Sequence, residues 1–275
     1  MSSNGNNKGN SSESILIELM TDNGVLRLTL NDSKRRNALS EEMMSSIATA
    51  LSKAEKNPAT KVIIISANGP AFCSGHDLKQ MSAGRKNDDG GLAYFTQVFS
   101  SCSALMQQIV NHPKPVIAEV SGVAAAAGCQ LVACCDLAIA SESARFVTPG
   151  VNIGLFCSTP MVALSRNVSN KAAMEMLLTG EMVDAQKAER IGLINRVEEH
   201  QALTQKTLEM ATLIASKSSM VLETGKKAFY GQKDMPLSEA YEYTSQVMVD
   251  NMLKQDAKEG IDAFIEKRQP KWQDK

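Results

Sequence analysis

The sequence has little of what most ligand classes require in bulk. Charge of one sign is missing: 29 basic residues face 30 acidic ones, a formal net charge of −1. Nothing in that balance favours nucleic acid or an anionic membrane surface, so an anionic ligand must be held by local groups. The six cysteines form no CxxC pair, and only three histidines accompany them. That argues against a zinc or disulfide framework and for free thiols in a reducing compartment. No apolar run approaches the ~18 residues of a membrane span, so no membrane insertion is expected. Residues 1–14 lack both an apolar stretch and arginine. They read as neither a secretory signal nor a typical mitochondrial presequence, and 1–13 as a disordered tail. The final "WQDK" is no peroxisomal address of the SKL type.

What is present suits a globular protein with a sizeable core: 43% apolar and 21% charged residues in a chain of 275. That length admits one large domain or two smaller ones. "ILIELMTDNGVLRLTL" (15–30) places two apolar-rich runs around Asn23-Gly24, a strong hairpin signal. Residues 40–56 read as a helix. Ser40 can cap it, Glu41 and Glu42 suit its positive end, and Met43, Ile47 and Leu51 share a face. "KVIIIS" (61–66) reads as a buried strand.

A loose recurrence follows. "VIIISANGPAFCSGHDL", "PVIAEVSGVAAAAGCQL" and "LAIASESARFVTPGVNIG" each run from a β-rich strand through a small-residue loop to a turn or helix start. Unequal spacing rules out a strict solenoid array, but the pattern suggests repeated strand–strand–helix turns building one core. From about residue 158 onward the signals are almost all helical, several segments ending at glycine. The expected plan is α/β over 14–200, then a helical region over 201–275.

Small residues between a strand and a helix let backbone N–H groups approach a ligand, and the helix N-terminus adds positive potential. Gly75-His76 and Ala127-Gly128 are two such places. If the fold brings them together, two N–H donors could clamp one carbonyl oxygen; removing one donor from such a hole typically costs ~3 kcal/mol of transition-state stabilisation. Close packing of a helix on a sheet calls for small residues too, and spacing alone does not separate the two readings.

"GPAFCSGHDL", "HPKPVIAEVSGVAAAAGCQLVACCDLAIAS", "FVTPGVNIGLFCSTP" and "LLTGEMVDAQKAERIGLINRV" together resemble the crotonase superfamily, the enoyl-CoA hydratase/isomerase group. The resemblance spans roughly residues 14–272, with four motifs in the expected order. It implies a spiral of ββα turns followed by a helical trimerisation region, assembled as a homotrimer or a dimer of trimers. It also implies an oxyanion hole that polarises an acyl-CoA thioester and stabilises an enolate, with no metal and no cofactor beyond the coenzyme A thioester itself. By position, the donors would be the backbone N–H groups of His76 and Ala127. The family more often has glycine at the second place; alanine is tolerable there if φ is negative.

Family hydratases also use two glutamates. Their positions here hold Gln130 and Gly150, and a third acidic position found in dienoyl-CoA isomerase relatives aligns with Ser158. An amide has no proton to exchange near neutral pH, so Gln130 is no general acid or base, although it can orient a water or a substrate oxygen. Each such role is typically worth ~10²–10⁴-fold, and ordinary hydration by the glutamate mechanism is not expected. His76 and Cys157 are the nearby alternatives. The family usually turns the His76 side chain away from the thioester, and Cys157 would need a lowered pKa to act as a nucleophile. Glu119 and Asp136 are the acids nearest the motifs, and structural roles are expected of both.

For coenzyme A, "SKRRNAL" (33–39) matches the family's loop near the nucleotide, nominating Lys34, Arg35 and Arg36 as phosphate partners, with a solvated basic turn as the alternative. In relatives, backbone groups around Gly75, His76, Asp77 and Leu78 face the adenine and pantetheine. "AFIEKRQPKW" matches a helix that completes a CoA site, sometimes in a neighbouring subunit, nominating Phe264 and Lys267. The expectation is an acyl-CoA-binding protein of lipid metabolism with chemistry other than hydration, or a non-catalytic binder. Decarboxylation of a malonyl-type thioester fits best, because loss of CO₂ generates the enolate without a base. The resemblance leans toward mitochondria, the visible N-terminus toward cytosol.

Overall fold

The computed structural model describes residues 14–275, and the tail expected over 1–13 lies outside them. Strands β1 (Leu16–Met20) and β2 (Val25–Leu30) pair antiparallel across Asn23-Gly24. Gly24 sits at φ +80°, and a Cβ there would lie 2.8 Å from the Ala59 carbonyl oxygen, so both conformation and space demand glycine. Helix α1 (Glu41–Lys56) follows, with the Ser40 side chain accepting from the Met43 N–H. Its first turn carries Glu41 and Glu42, its last Lys53 and Lys56, each complementing the helix dipole. Met43, Ile47 and Leu51 form its buried stripe.

Three strand–strand–helix passes come next. The first comprises β3 (Val62–Ala67), β4 (Ala71–Cys73) and α2 (Leu78–Gly84), after which α3 (Leu92–Asn111) crosses back. The second comprises β5 (Val116–Val120), β6 (Val123–Ala125) and α4 (Ala127–Cys134). The third comprises β7 (Leu137–Ser141), β8 (Arg145–Val147) and a 3₁₀ turn over Pro149–Ile153. Then come α5 (Ser158–Asn167), α6 (Asn170–Thr179), β9 (Val183–Asp184), α7 (Ala185–Arg190) and β10 (Arg196–Glu198). The chain finishes with α8 (Leu203–Ala215), α9 (Ser219–Gln232), α10 (Leu237–Met252) and α11 (Gln255–Ile265).

In each pass the first strand enters a six-stranded sheet, ordered β1-β2-β3-β5-β7-β10, and the second a four-stranded sheet, ordered β4-β6-β8-β9. Strands β9 and β10 are the exceptions in the stretch beyond residue 158, where the signals are almost all helical. At two and three residues they are too short to show a period, and their partners β8 and β7 define them.

Strand β3 is buried on both faces, which explains its unbroken apolar run. Ile63 and Ile65 join the main core with α1, α3 and α4, whereas Val62 and Ile64 pack with Val25, Ile117, Ala211 and Ala215. The last two lie on α8, which therefore covers the outer face of the large sheet. Buried charges pin the helices down. Glu119 on β5 is paired with Arg27 and accepts from Thr204 Oγ1 at the start of α8. Asp136 accepts from the Val116 N–H at 2.7 Å, from Lys226 Nζ at 2.7 Å and from the Tyr230 hydroxyl at 3.0 Å, anchoring α9. Both acids thus have the structural roles expected of them.

Candidate functional site

Strands β4, β6 and β8 run parallel as neighbours, so their carboxyl ends open onto one place. Gly75-His76 follows β4, Ala126-Ala127 follows β6, and Thr148-Pro149-Gly150 follows β8. The first two loops touch. Gly75 is at φ +86°, and a Cβ on it would come within 2.9 Å of the Ala126 Cβ and 3.3 Å of the Ala127 nitrogen. One residue into α4, a Cβ on Gly128 would lie 2.2 Å from the Cys73 carbonyl oxygen, so glycine lets the helix start against β4. The Ala126 N–H donates to the Val147 carbonyl at 2.9 Å, tying the second loop to the third.

Unusual backbone falls one residue before the expected donor. Ala126 adopts φ +49°, ψ −116°, a region that side-chain-bearing residues rarely visit and that costs about 1–3 kcal/mol. Ala127 does not share the positive φ. As the first residue of α4 its N–H has no intrahelical acceptor. Among the described residues, neither the His76 nor the Ala127 N–H donates to a loop or cap carbonyl.

The His76 ring stands edge-on to Phe99, centroids 5.3 Å apart, with both nitrogens buried and unpartnered. Burial holds its pKa below the usual histidine range, keeping it neutral. Asp77 caps α2, accepting from the Lys79 N–H at 2.9 Å and the Gln80 N–H at 3.2 Å. Leu78, which opens that helix, is exposed.

The basic turn lies beside this loop, since the Ser74 N–H donates to the Arg36 carbonyl at 3.1 Å. Arg35 is engaged with Asp32 at 2.5 Å and with Asp77 at 3.6 Å. Lys34 and Arg36 are exposed and carry no ion pair among the described residues. Sequence reasoning missed what holds the turn there. Asn37, wholly buried at φ +52°, accepts from the Asp32 N–H and donates to the carbonyls of Asn68 and Ala71. Asparagine's tolerance of the left-handed region is the signal that could have found it.

Gln130 lies one turn along α4 from Ala127 and on the same face; it is 4% exposed, with Oε1 lacking a partner. Gly150 is enclosed. A Cβ on it would lie 2.9 Å from Cys157 Sγ, 3.0 Å from the Leu155 carbonyl oxygen and 3.2 Å from the Cys157 nitrogen. Burial raises the Cys157 thiol pKa, so the thiol packs there in its neutral form. All six cysteines are unpaired and buried. Ser158 turns its hydroxyl to the Phe156 carbonyl. A surface groove of about 640 Å³ between α1 and α3, lined by Met44, Ser101 and Gln108 among others, shares no lining residue with these loops.

Phe264 and Lys267 belong to another layer. Helix α11 packs on α10, Phe264 is 86% exposed, and Lys267 lies just past the helix end at φ +54°. One chain therefore gathers His76, Ala127, Gln130, Gly150 and the 34–36 turn, and leaves the two C-terminal candidates on the helical periphery.

A family model described as enoyl-CoA hydratase/isomerase matches residues 20–275. The chain belongs to the enoyl-CoA hydratase/isomerase family. Among its relatives is enoyl-CoA hydratase domain-containing protein 3, mitochondrial, of Rattus norvegicus. It is 48% identical over 264 residues, covering 96% of this chain and 86% of the rat protein. The Homo sapiens protein of the same name is 49% identical over 249 residues, covering 90% of this chain and 80% of its own length. Its crystal structure superposes with a TM-score of 0.90 at 47% identity, covering 94% of this chain and 100% of that one. A crystal structure of enoyl-CoA hydratase from Mycobacterium smegmatis gives a TM-score of 0.90 at 44% identity, covering 94% and 99%. The fold is thus the crotonase fold. This enoyl-CoA hydratase/isomerase family member carries glutamine at 130 and an enclosed glycine at 150.

Proposed function

We propose that this protein binds an acyl-CoA thioester, with the thioester carbonyl received by the His76 and Ala127 N–H groups, and that it does not hydrate enoyl-CoA by a glutamate pair. One observation carries the reading: the Gly75 and Ala126-Ala127 loops meet at van der Waals distance, and neither amide has a loop or cap carbonyl acceptor among the described residues. Two fixed donors at one oxygen favour enolate or oxyanion chemistry, such as decarboxylation, thioester hydrolysis or isomerisation. Lys34 and Arg36 are the phosphate partners in this reading, whereas Arg35 and the Asp77 carboxylate hold the loops in place. Phe264 and Lys267 serve a neighbouring subunit of a trimer or a dimer of trimers, an arrangement supported by apolar residues left exposed on α10 and α11 (Tyr241, Met252, Phe264 and Ile265). The mitochondrial names of the rat and human relatives support mitochondria as the compartment and lipid metabolism as the context.

A second reading, binding without turnover, is favoured by Gly150. The second glutamate's place is occupied by Cys157, not merely vacated by a shorter side chain. The test is to incubate the purified protein with enoyl-, acyl- and malonyl-type CoA thioesters and follow each by mass spectrometry. Consumption of one thioester names the reaction by product mass; binding with every thioester intact supports the second reading. Hydration of crotonyl-CoA by the wild type at the rate of a glutamate-bearing hydratase overturns the proposal. Restoring hydration is expected to need Gln130→Glu and Gly150→Glu together with Cys157→Ala, because the double substitution drives the new side chain into the thiol.

A further inference from the structure

The His76 N–H belongs to the peptide that joins Gly75 to His76, and Gly75 stands at φ +86°. Glycine admits many combinations of φ and ψ, so a peptide beside it can turn over at little steric cost. Turned over, this one would present its carbonyl oxygen to a ligand in place of its amide hydrogen. What holds it lies on another part of the chain. The Leu39 N–H donates to the Gly75 carbonyl at 2.8 Å, within a parallel bridge between Leu39 and His76. Because a peptide unit is planar and trans, its C=O and N–H point in opposite directions. Anchoring the carbonyl on Leu39 therefore aims the His76 N–H away from that segment.

Leu39 is positioned in turn by the residues before it. The Ser74 N–H donates to the Arg36 carbonyl at 3.1 Å, so residues 36 and 39 grip residues 74 and 75. Arg36 and Asn37 are both left-handed, at φ +53° and +52°, a conformation that side-chain-bearing residues seldom adopt in succession. Such backbone persists only where its surroundings over-determine it. Here the wholly buried Asn37 side chain does so. Its Oδ1 accepts from the Asp32 N–H at 2.7 Å, and its Nδ2 donates to the Asn68 and Ala71 carbonyls, each at 2.8 Å. Asn68 and Ala71 bracket the connection from β3 to β4, the strand that ends in the His76 loop.

Resting on the acyl-CoA reading above, we propose that Asn37 is a positioning residue that aims the His76 N–H at the thioester carbonyl, acting through the Leu39 N–H. Lys34 and Arg36 sit on the same turn. The phosphate end and the reacting end of the ligand are thus registered against one hydrogen-bonded unit.

The experiment is infrared difference spectroscopy of the full chain saturated with butyryl-CoA, unlabelled and carrying carbon-13 at the thioester carbonyl. Two donors on that oxygen lower the carbonyl stretch of each bound molecule, a readout that loss of stability alone does not move. Asn37→Gly keeps the left-handed backbone and removes all three side-chain hydrogen bonds. It is expected to lose about half of the wild-type shift, one donor of the two. An ester in place of the amide at Leu39 deletes only the N–H and should do the same, keeping the assignment testable if the glycine variant fails to fold. Asp136→Ala, destabilised away from the site, should retain the full shift. A full shift in either the glycine or the ester variant overturns the positioning role alone, as does an equal loss in Asp136→Ala. Wild type that binds without shifting the carbonyl overturns the hole, and wild type that does not bind overturns the acyl-CoA reading; either result removes this assignment with it.

Discussion

Two histidines with buried ring nitrogens show how differently this molecule treats its polar groups. His112, at the end of α3, is 2% exposed and fully occupied: Nε2 lies 3.1 Å from the Leu51 carbonyl, and Nδ1 accepts from the Lys114 N–H at 3.1 Å. His76, at the end of β4, has neither nitrogen partnered. The same contrast separates Asp136 and Glu119, each with several donors, from Gln130 and Thr148, which have orphaned oxygens. Groups that tie α8 and α9 to the sheet are satisfied by the chain. Those where β4, β6 and β8 end are not, and the shortfall concentrates where a ligand would be held.

Breaking the satisfied side should cost most. Asp136→Ala strands the Lys226 ammonium in a largely buried place, and an expected loss of about 3–5 kcal/mol would appear as a lower urea midpoint. Acid should sharpen the comparison next. Burial depresses the pKa of both His76 and His112 below their unfolded value of about 6.5. Their contribution to stability is then complete above that value and is lost as pH falls below it toward the folded values, because only the unfolded chain takes up the protons. The ceiling is about 1.4 kcal/mol per pH unit per histidine. His76→Phe is expected to flatten part of that slope in pH-dependent denaturant melts.

Ala126→Gly should run the other way. Relief of about 1–3 kcal/mol of backbone strain, less the roughly 0.4–1 kcal/mol that glycine adds to unfolded-state entropy, leaves a gain of about 1 kcal/mol in the urea midpoint. The smallest effect on folding is expected from Gln130→Leu, which removes an unpaired buried acceptor at similar volume and should leave stability within about 1 kcal/mol. A loss there as large as that of Asp136→Ala would mean that Gln130 is structural, and the contrast between the two regions would collapse.

Local chemistry was readable from the chain. Asn23-Gly24 announced its hairpin, Ser40 with Glu41 and Glu42 announced α1, and the thrice-repeated strand, small-residue loop and turn announced the ββα passes. The pairing of loops after β4 and β6 followed from the resemblance. Facts that depend on distant neighbours were not readable. Nothing local says that Cys157 fills the space beside Gly150, that Thr148 loses every partner on burial, or that the strain falls on Ala126 and not on Ala127. Nor does a two-residue strand such as β9 exist apart from β8.

The parallel register of β4, β6 and β8 has a kinetic consequence. His76, Ala127 and Thr148 are delivered by three successive passes of the chain, and only non-local pairing sets them side by side. Such contacts form late, after loop closure has been overcome. An intermediate holding only the hairpin, α1 and the first pass would contain the basic turn and the His76 loop but not their counterparts. Appearance of thioester affinity during refolding would therefore time the arrival of the third pass, making the ligand a clock for the completed spiral.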